Sequence, residues 1–254
     1  KTQQGDFNVR PDLATDRPEE AGPIGLLLLA VKEYDLEATA AALAPLLLAE
    51  TVVLPLLNGV DIAERLQTLL PRGDVLSGCI YISSFIESPG VVCQAGGACQ
   101  LIFGPENGRI EAYRSLEALF REAGIRAELV SDIAVHVWSK YLFVSPMAGV
   151  TSLSAKPFGA VMADPGTRSL VRELMGEILA LARARGIALP ADSVEAAIAK
   201  ADAFPFDTRS SMQLDYEKGR PTEVELFIGT AVRAGRVLGV SVPRHERLYA
   251  DLKR

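Results

Sequence analysis

Ile24-Gly25-Leu26-Leu27-Leu28-Leu29-Ala30-Val31 is a continuous apolar run with no alternation, the pattern of a parallel strand covered on both faces. It ends at Lys32. Residues 36–48 follow as an alanine- and leucine-rich helix, 51–57 as a second buried strand and 61–70 as an amphipathic helix. Strands alternating with helices predict a doubly wound α/β unit. Three further β-prone stretches, 75–85, 90–94 and 99–104, are separated by Ser88-Pro89-Gly90 and Gly96-Gly97 and read as a meander appended to the parallel sheet. Residues 109–123 read as helix and 126–130 as a short strand.

From Ser131 onward strand signals vanish. Ser131 or Asp132 can cap a long helix that Pro146 should kink, because proline removes a backbone donor and crowds the carbonyl of Leu142. Further helices are expected over 167–185, 191–203, 208–218, 223–238 and 243–252. Two of them finish alike, in Arg185-Gly186-Ile187-Ala188-Leu189-Pro190 and Leu238-Gly239-Val240-Ser241-Val242-Pro243; glycine, apolar residue, then proline indicates shared capping chemistry and no functional repeat. The expected division is therefore a Rossmann-like domain over 1–130 and an all-helical domain over 131–254.

The 254 residues suffice for two domains, each with its own core. Hydrophobic residues make up 49% and charged residues 23%, ordinary globular usage, and a formal charge of −6 offers no basic surface for nucleic acid. Apolar runs are far shorter than a membrane span and no signal-peptide pattern occurs, so a cytoplasmic protein without membrane partners is expected. Cys79, Cys93 and Cys99 are odd in number and lack paired spacing, which suggests reduced thiols. With only His136 and His245, far apart, no metal site is expected.

Lys140 is the single formal charge between Asp132 and Lys156, set among Trp138, Tyr141 and Phe143. Desolvation disfavours an ammonium and moves a lysine toward the range useful for proton transfer; a stem packed on the core with its head in water is the other reading of the same residue. Lys32 and Asn58-Gly59 lie at strand carboxyl ends, where ligands gather in open α/β sheets, although a solvated strand end and a turn dipeptide would look the same. In the helical half, Ser210-Ser211-Met212 precedes Arg220-Pro221-Thr222-Glu223, where Thr222 can cap a helix and Glu223 falls in its first turn.

Taken in order, Ala30-Val31-Lys32, Leu56-Leu57-Asn58-Gly59-Val60, Ser88-Pro89-Gly90, Lys140 in its apolar helix, and Ser210-Ser211-Met212 with Arg220-Pro221-Thr222-Glu223 resemble the ketopantoate reductase family along nearly the whole chain. The resemblance implies reduction of 2-dehydropantoate to pantoate with NADPH, in pantothenate and coenzyme A synthesis. It implies that Lys140 is the general acid, and that Glu223 is the carboxylate binding the substrate hydroxyl or the cofactor. It further implies that Ser211 contacts the substrate carboxylate, that Asn58 serves both nicotinamide and substrate, and that Lys32 lies at the cofactor edge. Helical domains of this kind often pair, so a homodimer is one assembly the resemblance allows, and oligomeric state stays open.

Two departures from the family pattern stand out. Asparagines often found four and eight residues after the lysine, and a third beyond them, are matched here by Val144, Ala148 and Phe158, so reduction of a more apolar 2-oxo acid is an alternative substrate reading. No G-x-G-x-x-G occurs, and the expectation is that the first βαβ unit of the dinucleotide fold, with its phosphate loop, is missing from this chain. A non-catalytic binding or assembly module is the second alternative.

Overall fold

The computed structural model describes residues 1–2 and 5–254. The chain divides into two compact units: residues 1–31, 35–57 and 62–133 form one, and residues 32–34, 58–61 and 134–254 the other. The short segments carrying Lys32 and Asn58 thus belong to the helical unit, although each directly follows a strand-bearing stretch of the first.

In the first unit β1 (Ile24–Leu29), β2 (Leu47–Pro55) and β3 (Asp74–Val75) form a parallel sheet in that order, linked by α1 (Leu36–Leu43) and α2 (Ile62–Leu69). This is the Rossmann-like pattern of strand, helix, strand. β1 departs from the expected burial: among the described residues it pairs with β2 on one side only, and Leu28 is 43% exposed. The predicted helix over 36–48 is also too long. Pro45 converts its end into a 3-10 turn, Ala44–Leu46, and β2 begins four residues earlier than expected, at Leu47.

The predicted meander is a hairpin. β4 (Ser77–Ser88) and β5 (Val91–Gly104) pair antiparallel across the Ser88-Pro89-Gly90 turn, and β6 (Arg126–Leu129) adds to β5 in parallel after α3 (Arg114–Glu122), itself preceded by a 3-10 turn at Ile110–Tyr113. Gly96-Gly97 does not separate two strands. The register slips there, with Tyr81 opposite Gln100 but Ser83 opposite Gly96, so the glycines form a bulge inside one strand. Gly97 has φ +88°, and a Cβ on it would lie 3.0 Å from the Ile82 Cα and the Ser83 nitrogen, which leaves room for no other residue. Leu54 of β2, Leu101 and Phe103 of β5 and Leu116 and Phe120 of α3 share one core.

The helical unit contains α4 (Ile133–Ser154), α5 (Phe158–Ala163), α6 (Pro165–Ala184), α7 (Ser193–Asp202), α8 (Ser211–Glu217), a π turn at Glu225–Gly229, α9 (Thr230–Leu238) and α10 (Pro243–Leu252). α4 runs unbroken through Pro146. α5 was not foreseen, because six residues are too few to show a 3.6-residue period. α8 is shorter than the predicted 208–218, since Ser210 caps it by accepting the Gln213 N–H. Asp164 caps α6 through the N–H groups of Gly166 and Thr167. The two glycine endings do share one chemistry: Gly186 and Gly239 have positive φ, and Ile187 and Val240 donate back five residues, to Ala182 and Gly235.

One carboxylate docks the last helix. Glu177 of α6 accepts the backbone N–H groups of Arg244 and His245 and bonds His245 Nδ1 at 2.6 Å. Burial alone would raise its pKa, but these bonds and the His245 ring outweigh it and hold Glu177 below the usual carboxylate range.

Candidate active site

Lys32 follows β1 in the chain and packs with the helical unit. Its ammonium donates to Asp215 Oδ2 at 3.0 Å and to Glu223 Oε2 at 2.9 Å. The side chains are 38%, 18% and 6% exposed respectively, so the cluster grades from an accessible cation to a nearly sealed carboxylate. Desolvation taken alone would lower the Lys32 pKa; the hydrogen bonds and charges of Glu223 and then Asp215 exceed it, and the ammonium is held above its ordinary 10.5. An ammonium has three donors, and these two bonds leave one for a ligand.

Asp215 is the member of this cluster that reading the sequence missed. The signal was its spacing: it lies four residues after Ser211 on α8, hence on the same helical face. A Gly219 turn, in which Arg220 donates back to the Asp215 carbonyl at 2.9 Å, then turns the chain toward Glu223. The Glu223 carbonyl accepts the Phe227 N–H at 2.9 Å, so Glu223 stands at the entrance of the helix and not in its first turn. Thr222, expected to cap that helix, makes no side-chain hydrogen bond among the described residues; the helix starts at Val224, one residue too late for its hydroxyl to serve as cap.

Lys140 is half-buried on α4, between the buried Trp138 and Tyr141. Tyr141 donates to the Phe227 carbonyl at 2.6 Å, and Ser145, one turn on, donates to the same oxygen at 2.7 Å. The turn of α4 that bears Lys140 is thereby fastened to the segment that begins with Glu223. Ser211 is exposed at the first position of α8, whose capping hydroxyl on Ser210 lies 3.0 Å from Thr151 of α4. Thr151 is three turns beyond Lys140, about 16 Å along the axis. Asn58 is half-buried, and its neighbour Val60 packs on the helical core.

Of the three apolar replacements, two are core residues. Phe158 packs against Phe143 and Phe204, with ring centroids 6.3 and 5.4 Å away, and Ala148 is buried in the same core. Val144, one turn from Lys140 on the same face, is only partly buried. Among the described residues no group of three or more His, Cys, Asp or Glu could hold a metal ion, and no helix is long and apolar enough to cross a membrane.

The family profile for the N-terminal part, Ketopantoate reductase PanE/ApbA, matches residues 1–108, and that for the C-terminal part matches residues 132–254. The chain belongs to the ketopantoate reductase family. Ketopantoate reductases are oxidoreductases that bind NAD(P)H. The chain is 30% identical over 257 residues to the uncharacterized oxidoreductase YkpB of Bacillus subtilis, covering 99% of this chain and 83% of that protein. It is 32% identical over 230 residues to a 2-dehydropantoate 2-reductase of Mycobacterium tuberculosis, covering 90% and 75%. The crystal structure of a ketopantoate reductase of the PanE/ApbA family from Ralstonia eutropha superposes with a TM-score of 0.90 at 29% identity, covering all of this chain and 82% of that one.

Proposed function

We propose that the protein reduces 2-dehydropantoate to pantoate with NADPH, supplying pantothenate and coenzyme A synthesis. The observation that carries this reading is a nearly sealed carboxylate, Glu223, paired to Lys32 and tied through Phe227 to the turn of α4 bearing Lys140. The donors present suit the nicotinamide end of the cofactor: the remaining Lys32 donor and the Asn58 amide both lie just after strand carboxyl ends in the chain. When bound, the reduced cofactor supplies hydride to the carbonyl carbon. Lys140 gives its proton to the carbonyl oxygen as negative charge develops there, and its ammonium stabilises that charge beforehand. Glu223 accepts a hydrogen bond from the substrate hydroxyl, and the bond from Lys32 holds that carboxylate in position. Ser211 and Asn58 contact the substrate carboxylate.

The half-buried Val144 favours a second reading, in which a more apolar 2-oxo acid is the better substrate. A panel of 2-oxo acids, assayed on the full-length protein with NADPH and with NADH, tests both readings. On the second reading Val144→Asn raises kcat/KM for 2-dehydropantoate relative to an apolar competitor by about 2- to 10-fold, the worth of one hydrogen bond between uncharged groups. A wild-type protein that already prefers 2-dehydropantoate, and loses that preference on substitution, leaves only the first. Equal inactivity on every 2-oxo acid with both cofactors would refute the reductase reading itself.

A further inference from the structure

We propose that the Tyr141 hydroxyl, seated in the π turn of residues 225–229, is a positioning residue that sets where Glu223 lies against the Lys140 turn of α4; this rests on the roles given to Lys140 and Glu223 above. π turns are rare, and they persist where a side chain enters the backbone ladder. Here Thr230 donates back five residues to the Glu225 carbonyl. On the inner side Tyr141 and Ser145 both donate to the Phe227 carbonyl, the acceptor that the Ala231 N–H would take in a regular α-helix. All three residues are buried. Gly149 of α4 faces the same segment: a Cβ there would meet the side-chain ends of Ile228 at 2.8 Å and Leu248 at 2.7 Å, so a larger residue would have to push those side chains aside. Burial keeps the phenol protonated, pushed well above the ordinary tyrosine value although Ser145 and the Ala231 N–H pull the other way. The hydroxyl is therefore a donor at every working pH.

Glu223 stands on the N-terminal side of this turn, and α9 on the other. Returning the turn to regular helix changes the register across it by one residue, a rotation of about 100°. That rotation would swing Glu223 out of reach of Lys32. A phenylalanine at 141 fills the same volume but donates nothing, so it removes the wedge and keeps the packing.

A double-mutant cycle tests this with NADPH and 2-dehydropantoate on the full-length protein. Tyr141→Phe should lower kcat about tenfold or more with cofactor KM changed less than about twofold, and should lower it less than about twofold further in a Glu223→Gln background. Equal losses in both backgrounds would mean a generally loosened structure and overturn the proposal, as would a wild-type kcat for Tyr141→Phe. Should Tyr141→Phe fail to fold, Ser145→Ala, which removes the other donor to Phe227, goes through the same cycle with the same criteria. Lys140→Ala, run in parallel, separates the two layers of inference. If Lys140→Ala and Glu223→Gln are impaired while Tyr141→Phe is not, positioning alone fails; if neither is impaired, the catalytic reading fails and the positioning proposal with it.

Discussion

Lys140→Ala leaves the helical unit folded and lowers kcat by about 100-fold or more, the range for losing a positioned general acid. The fold should survive because the residues beside it, Trp138, Tyr141 and Leu142, are buried on their own account and Tyr141 is anchored to Phe227. The half-buried stem contributes some packing, which Lys140→Met would keep. Both substitutions should therefore be equally slow if the ammonium is the acid, as judged by steady-state turnover beside a thermal melt. A kcat within about threefold of wild type, with only the melting temperature reduced, would return Lys140 to the role of a snorkelling side chain.

Glu223→Gln should lower kcat/KM by roughly 10- to 100-fold, because a charge-assisted bond is replaced by a neutral one at the point where substrate is held. The amide oxygen can still accept from Lys32, so geometry is nearly retained and charge is what changes. The substitution also leaves Asp215 as the sole anion paired with Lys32, which gives an independent readout. Lys32 is raised above 10.5 mainly through Glu223 working against burial. Its pairing therefore contributes stability fully below about pH 10.5 and loses it as pH rises through the raised folded value. In Glu223→Gln the folded pKa of Lys32 falls, so the drop in melting temperature between about pH 10 and 12 is smaller than in the wild type. Wild-type kcat/KM in the variant would leave Glu223 no role beyond its backbone at the helix entrance.

The sequence made the larger elements legible wherever a period was long enough to count. α4, α6, α9 and α10 were readable because apolar spacing or a glycine ending marks them. The errors fall where a local feature competes with the period. Pro45 cuts one helix short, and Gly96-Gly97, a strong turn signal by composition, is absorbed into a strand as a bulge. Within the site, Lys32 and Glu223 could be named from their motifs, and the structure joins them directly. Asp215 could not, because an acidic residue on a short exposed helix resembles ordinary surface until its partner's position is known. Thr222 was misjudged for a related reason: a hydroxyl before an acidic residue reads as a cap, whereas here the helix begins later and in π geometry.

The π turn also bears on how the proposed catalytic residues could be moved between proteins. Glu223 occupies its place because residues 225–229 are wound differently from the helix they lead into, and the donors that accommodate that winding, Tyr141 and Ser145, come from a helix some eighty residues upstream. A segment carrying Glu223 alone, transplanted onto a regular helix, would relax its extra residue and present the carboxylate in another direction. Lys140 has Tyr141 as its chain neighbour, so the proposed acid and the proposed wedge travel together. The smallest portable piece of this site is consequently a pair of helices, and a single motif taken from either one would arrive without the partner that aims it.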